Sequence, residues 1–100
     1  MDKNTVVEFA GRHETVDPLT GLLRRGAREL LQKAVEAELS TFMEEFQNRR
    51  LGDGRAAVVR NGYLPERDIQ TGIGPVKVKV PKVRSKDGKP VTFRSALVPP

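Results

Sequence analysis

The chain has 100 residues, enough for one small domain or for one piece of a larger protein. It has no cysteine and a single histidine, His13, which argues against a disulfide framework, a zinc-thiolate site and a histidine-based catalytic triad. No apolar run approaches the roughly 20 residues of a membrane span, and the first residues lack the apolar core of a signal peptide. We therefore expect a cytoplasmic protein with no membrane partner.

The net charge of +5 is divided unevenly along the chain. Residues 1–48 carry six Lys or Arg against nine Asp or Glu, whereas residues 49–100 carry twelve against four. Such asymmetry suggests that the second half meets a polyanion and that the first half has another task. A lysine-rich surface that is merely solvated is the alternative explanation.

Residues 1–16 are predicted to form an N-terminal arm. Its small apolar cluster, Val6, Val7, Phe9 and Ala10, fits a short strand or a helical turn, and the sequence does not distinguish between them.

The strongest periodic pattern begins at Asp17-Pro18, where an N-cap acceptor precedes a proline at the first helical position. Apolar residues then recur at spacings of three and four, which predicts a helix over residues 18–50. A break near Gly26 is the alternative, and Gly52 is predicted to cap the helix in a left-handed conformation. Its glutamates Glu36, Glu38, Glu44 and Glu45 are expected on a solvated face.

This helix carries more apolar surface than the remaining residues can easily cover. We therefore expect a homo-oligomer through the long helix, or cover from the rest of a larger protein. An ordinary core helix packed on the following hairpin is the alternative. Residues 39–46 are expected to pack on the chain's own sheet.

The second half is predicted to form strands. Asn61-Gly62 is typical of a tight turn, and residues 66–71 and 76–83 flank "GIGP" as a β-hairpin with Gly74 at positive φ. Val76, Val78 and Val80 share one face, and Lys77 and Lys79 point the opposite way. A short third strand over residues 90–93 is possible in this pattern. The predicted fold class is α+β, with a long amphipathic helix followed by a small antiparallel hairpin or three-stranded meander.

The sequence offers little that could catalyse a reaction. The glycines of "TGIGPV" lack the continuation of a phosphate loop, and no pair of carboxylates is placed as acid and base. We expect no enzymatic activity, cofactor or small-molecule substrate for these residues.

The basic half instead predicts contact with double-stranded DNA. Lys and Arg neutralise phosphates, while Arg, Asn and Gln read base edges, and a two-stranded ribbon fits the major groove. The turn "RNGY" would place Arg60 and Asn61 at a tip, unless Asn61 only supports its turn. The predicted DNA-binding residues are Arg55, Arg60, Asn61, Arg67, Gln70, Lys77, Lys79, Lys82 and Arg84.

The stretch "DGRAAVVRNGYLPERDIQTGIGPVKVKVPKVR" resembles the amino-terminal region of mutator-type bacterial insertion-sequence transposases. The likeness lies in three places: the turn at residues 60–63, the "ER-I-T-GIGPV-V-VP-VR" pattern over 66–84 and the segment 93–99. In addition, "DPLTGLLRRGARELL" is similar to the family's leading helix. The resemblance implies recognition of terminal inverted repeats and subunit assembly. It also implies a downstream catalytic domain whose Asp, Asp and Glu hold a divalent metal such as Mg²⁺, and none of that domain lies in these residues.

Three segments follow from these observations: the arm at 1–16, a helical assembly segment at 17–51 and a basic β segment for DNA contact at 52–100. The leading hypothesis is a DNA-end-binding module of a transposase. The main alternative is an oligomerisation module whose basic residues are only solvated. An RNA-binding or ribosome-associated protein suits the charge but not the resemblance.

Overall fold

A computed structural model describes residues 6–9, 12–15 and 17–99, with one helix and six strands. The elements in chain order are β1 (Val6–Phe9), β2 (Arg12–Thr15), α1 (Pro18–Glu44), β3 (Val58–Tyr63), β4 (Arg67–Thr71), β5 (Gly74–Val78) and β6 (Pro81–Ser85). A long helix followed by small antiparallel sheets confirms the predicted α+β class. Among the described residues, no helix is long and apolar enough to span a membrane.

The N-terminal arm contains strands. β1 pairs with β2 in antiparallel register, from Val6 opposite Thr15 to Phe9 opposite Arg12. Of the two structures that the apolar cluster allowed, the strand is therefore the one present, while Ala10 lies outside the described residues.

Helix α1 begins where its sequence predicts. The Asp17 side chain accepts a hydrogen bond from the Leu19 N–H at 3.0 Å and another from the Thr20 hydroxyl at 3.2 Å, and Pro18 occupies the first turn. The helix continues through Gly26, so the break considered there is wrong. A helical glycine costs about 1 kcal/mol, and the strong helix formers on either side outweigh that amount.

The helix ends at Glu44, about two turns before the predicted end, and the chain continues through turns to Asn48. Gly54, with φ of +87°, takes the positive φ that was predicted for Gly52. The loop reverses the chain so that the Ala57 N–H donates to the Arg49 carbonyl at 3.0 Å. The chain thus reverses within residues 49–57, and this local pairing replaces the last part of the predicted helix.

The basic half forms one long antiparallel ribbon, because the β4–β5 hairpin is nested inside the β3–β6 pair. Thr71 pairs with Gly74 across a two-residue turn, and the φ of +102° at Gly74 confirms the predicted hairpin. Its predicted second strand, residues 76–83, is divided between β5 and β6, and β6 pairs with β3. The ladder is interrupted at residues 64–66 and 79–80, where the Leu64 N–H still donates to the Val80 carbonyl at 2.8 Å.

Two predictions about this half are wrong. Asn61-Gly62 does not form a turn between strands: it lies inside β3, at a register shift between Arg60 and Tyr63, with Gly62 at φ +70°. Residues 90–93 are described without strand structure, so the hairpin is correct and the three-stranded meander is not. In the first case β3 pairs with β6, a partner that local turn signals do not report.

The core joins three segments that are far apart in sequence. Its buried residues are Val35 and Leu39 from α1, Val78 and Val80 from the ribbon, and Phe93 and Val98 from the C-terminal segment. Phe42 meets the Phe93 ring at a centroid distance of 5.3 Å. The end of α1 thus packs on the chain's own ribbon, as predicted, and the valine face of β5 is the buried one.

Polar side chains of α1 hold the other two segments in place. The Gln32 amide donates to the Lys79 carbonyl at 2.8 Å and accepts from the Lys79 N–H at 3.1 Å, so it satisfies the backbone where the ladder is interrupted. Glu38 accepts from the Ser95 hydroxyl and from the Ala96 N–H, the latter at 2.8 Å. The expectation that Glu38 is only solvated is therefore wrong.

Candidate nucleic-acid interface

The strand register divides the ribbon into two faces. Residues directly opposite each other in an antiparallel pair share a face, and neighbours along a strand alternate. Ile69 opposite Val76, together with Val78 and Val83, lies toward α1 and the core. The other face carries exposed polar residues, and we name its cations the outer row: Lys77, Lys79, Lys82 and Arg84.

The outer row presents positive charge to solvent. Lys79, Lys82 and Arg84 make no ion pair with any carboxylate in residues 17–99. Lys77 pairs with Asp68 at 3.1 Å, but both side chains are about half exposed, and such surface pairs contribute little. At about 3.3 Å per residue the row extends over roughly 23 Å, which corresponds to about seven base pairs of duplex.

Gln70 and Asn61 are the two amide residues predicted to bind DNA, and both are exposed. Gln70 lies opposite Pro75 in the β4–β5 ladder, on the face of Lys77 and next to the hairpin turn. Asn61 lies at the bulge in β3, one residue from Gly62. An exposed amide beside a row of cations is suited to contact base edges, with adenine as its usual partner.

Arg60 points toward the helix instead of standing at a tip. Its Nη2 lies 2.8 Å from Glu36 Oε1 and donates to the Tyr63 hydroxyl at 3.0 Å, and that hydroxyl donates to Glu36 Oε2 at 2.9 Å. The predicted tip position is wrong because Arg60 lies within β3 opposite Val83, on the face of the ribbon that is turned toward the core. Glu36, expected on a solvated face, is the partner that holds it.

Arg55 and Arg67 lie away from the outer row. Arg55 belongs to the loop before β3, where its Nε donates to Asp53 at 2.7 Å. The Arg55 backbone N–H and side chain both bind the Asp53 carboxylate and lower its pKa. Arg67 is half-buried opposite Val78, on the helix-facing side of the ribbon. The structure thus places five of the nine predicted residues on one face, Gln70, Lys77, Lys79, Lys82 and Arg84. It leaves Asn61 exposed at the bulge and places Arg55, Arg60 and Arg67 elsewhere.

The charge count missed three cations, Arg24, Arg25 and Arg28, that α1 places beside the hairpin tip. Their net effect was hidden because the first half of the chain is acidic overall. Their spacing could have revealed them, since positions 24, 25 and 28 share one helix face. Arg28 also binds Glu66 at 3.0 Å and so ties the helix to the ribbon.

An apolar surface covers another side of α1. We name Leu19, Leu22, Leu23 and Leu30 the leucine stripe; their exposed fractions are 59, 57, 48 and 69%. At 100° per residue these leucines cluster on the side of the helix roughly opposite the buried Val35 and Leu39. The ribbon and the C-terminal segment therefore leave the stripe uncovered within residues 17–99.

No group of three His, Asp or Glu in the described part of the chain is arranged to hold a metal ion. The divalent metal that the resemblance implies for a downstream catalytic domain has no candidate ligand set among these residues.

The comparisons with known proteins give one match. A sequence profile described as "Transposase, Mutator family" matches residues 2–97. No curated protein and no solved structure matches the chain. The profile extends over the helix, the ribbon and most of the C-terminal segment, and it agrees with the family resemblance of residues 53–99.

Proposed function

Because this chain belongs to the Mutator family of transposases, we propose that it binds the terminal inverted repeats of an insertion sequence through the outer row. The observation that carries the proposal is the position of Lys77, Lys79, Lys82 and Arg84, all exposed on the ribbon face turned away from the core. Such a row binds phosphates with release of counterions, and a two-stranded ribbon is narrow enough for the major groove.

We assign preference for the specific end to the exposed amides of Gln70 and Asn61, because Arg60 is engaged by Glu36 and Tyr63. Direct base contact by Arg60 would require that its ion pair with Glu36 be broken. The amides have no such competing partner in residues 17–99, so they are available to base edges at lower cost.

The test is a titration of the chain against the terminal-repeat duplex of its own element and a scrambled duplex, each at several salt concentrations. Lys79→Gln and Arg84→Gln should each weaken both duplexes alike and reduce the slope of log K against log salt by about 1. Gln70→Ala should reduce the preference for the terminal repeat and leave the slope unchanged.

Lys33→Gln is the matched control, because it removes one positive charge from an exposed position on α1 outside the ribbon. It should leave the slope within error of the unaltered chain. Equal slope changes in Lys33→Gln and Arg84→Gln would refute a contact specific to the outer row. Failure of the unaltered chain to bind either duplex at low salt would refute DNA binding by this region.

A second candidate function is subunit assembly through the leucine stripe. Monomeric proteins rarely expose a large contiguous apolar patch, and four leucines at spacings of three, four and seven make a regular helical face. Gly26 lies within this face, and no atom lies within 4 Å of a Cβ built on it, so a second backbone has room to approach there. We propose that a second copy of α1 packs on the stripe, as an isologous pair.

A further inference from the structure

A cleft of about 390 Å³ lies between the first half of α1 and the tip of the β4–β5 hairpin. It is lined by Gly21, Arg24, Arg25, Arg28, Pro75, Val76 and Lys77. Four of these seven residues are cationic. We name it the arginine cleft.

The arginine cleft is formed by the helical spacing of its residues in α1 and by Gly74 at the hairpin turn. Positions 21, 24, 25 and 28 are spaced by three and four, which places them on the side of α1 that faces the ribbon. At the hairpin turn, a Cβ added to Gly74 would lie 3.2 Å from the Arg24 guanidinium. The absence of a side chain at Gly74 therefore lets Arg24 lie directly against the turn, and this close approach fixes its position relative to Lys77.

Positive charge exceeds negative charge in the arginine cleft. Arg28 binds Glu66 at 3.0 Å and Lys77 binds Asp68 at 3.1 Å, so two of its four cations have carboxylate partners. Arg24 and Arg25 make no ion pair with a carboxylate in residues 17–99. Two guanidinium groups that line one concave site and have no carboxylate partner in residues 17–99 can offer N–H donors to a phosphate group, which accepts such donors in pairs.

We propose that the arginine cleft binds phosphate groups and that their source is the backbone of the duplex held by the outer row. Lys77 lines the arginine cleft and also belongs to the outer row, so the two surfaces adjoin at the hairpin. The inference rests on the proposed function, which it extends onto the helix. α1 would then contribute to DNA binding on one side and present the leucine stripe on the other.

The test compares Arg24→Gln/Arg25→Gln with Lys33→Gln/Lys89→Gln. Both double variants lose two positive charges, and glutamine preserves helix propensity in α1. The cleft variant should bind a scrambled duplex more weakly and lower the slope of log K against log salt by about 2, while the control should keep the slope of the unaltered chain. Circular dichroism at 222 nm should show the same helix content in all three proteins.

An unchanged slope in Arg24→Gln/Arg25→Gln would overturn the inference and leave the outer row as the DNA contact. A decrease of the same size in Lys33→Gln/Lys89→Gln would also overturn it, since net charge alone would then explain the loss.

Inorganic pyrophosphate separates the two possible sources of phosphate. In an NMR titration with pyrophosphate, sodium chloride at equal ionic strength is the reference. Pyrophosphate should shift the amide signals of Gly74, Val76 and Lys77 saturably in the unaltered chain and not in Arg24→Gln/Arg25→Gln. Saturable shifts without any duplex binding would refute the DNA source and the proposed function together, and would leave a site for free phosphate. No shift would overturn the phosphate site even if the outer row binds DNA.

Discussion

At the scale of single residues, basic side chains in the second half of the chain have different roles despite similar positions in the sequence. Arg49 binds Asp87 through two nitrogens, one contact being 2.7 Å, and also donates to the Lys89 carbonyl at 2.6 Å. It therefore fixes the turn after β6 to the end of the helical segment. Arg60 is held by Glu36 in the same manner. Lys79, Lys82 and Arg84 have no such partner in residues 17–99, which is why they are the better candidates for DNA.

The Arg49–Asp87 pair predicts a pH-dependent stability. The hydrogen bond from Arg49 holds the pKa of Asp87 well below its usual value. A carboxylate with a lowered folded-state pKa stabilises the fold above its unfolded pKa of about 4, and this contribution is lost as the pH falls toward the folded value. The urea midpoint of the unaltered chain should therefore exceed that of Asp87→Asn by a constant amount above about pH 5. The difference should shrink below about pH 4.

Asn keeps an acceptor for the Lys89 N–H, while it removes the charge and the second oxygen that accepts from Arg49. Asp53, whose pKa is also lowered, is present in both proteins and cancels. Glu45→Gln serves as the control, because Glu45 is exposed and has no ion pair in residues 17–99. The difference in urea midpoint between this variant and the unaltered chain should not shrink below pH 4. A difference for Asp87→Asn that stays constant down to pH 3 would contradict the prediction.

At the scale of elements, the ribbon depends on irregularities as much as on its pairing. The bulge at Gly62 shifts the register of β3 so that Tyr63 lies opposite Pro81, whereas Arg60 keeps its regular pairing with Val83. Arg60 before the bulge and Tyr63 after it both contact Glu36 of α1. At the next gap, Gln32 supplies the hydrogen bonds that the ladder lacks. The helix thus stabilises the ribbon at the places where strand pairing is interrupted.

Gly62→Ala should destabilise the protein by about 1–2 kcal/mol, because its φ of +70° is unfavourable for any residue with a Cβ. Space is not the cause, since no atom lies within 4 Å of the added Cβ. Gly52→Ala is the matched control: that position is also open, and its φ is not in the left-handed region. Its effect should stay within about 0.5 kcal/mol. Urea unfolding would measure the free energy of unfolding of both variants. Equal losses would show that the positive φ at the bulge does not cause the loss of stability in Gly62→Ala.

At the scale of the whole molecule, the core accounts for only part of the helix. Val35, Leu39 and Phe42 pack on the ribbon and the C-terminal segment, whereas the leucine stripe belongs to the first half of α1 and faces away from them. One helix therefore carries two apolar surfaces with different positions. The first stabilises the fold of the chain, and we propose that the second joins two copies.

Leu23→Glu and Leu30→Glu should each convert a dimer into a monomer, because a charge would be buried without a partner at the centre of the interface. Light scattering coupled to size-exclusion chromatography at several concentrations would measure the mass. Ser40→Glu, an exposed polar position in the C-terminal part of the same helix, is the control and should leave the dimer intact. A monomeric unaltered chain at high micromolar concentration would refute assembly through this helix.

Local signals in the sequence were sufficient for much of this protein. Asp17-Pro18 predicted the start of the helix, "GIGP" predicted the hairpin with Gly74 at positive φ, and the Val and Lys alternation predicted the buried and exposed faces of β5. These signals act within a few residues, through capping, turn geometry and the two-residue period of a strand. The family resemblance was likewise visible in the motif over residues 53–99, and the profile match confirmed it.

Only the tertiary structure decided the features that depend on distant partners. Asn61-Gly62 became a bulge because β3 pairs with β6, which is distant in sequence. Arg24 and Arg25 reached the hairpin tip because α1 and β5 pack together. In each case segments far apart in sequence compete for the same backbone or side-chain groups, and the outcome depends on the free energy of the whole fold.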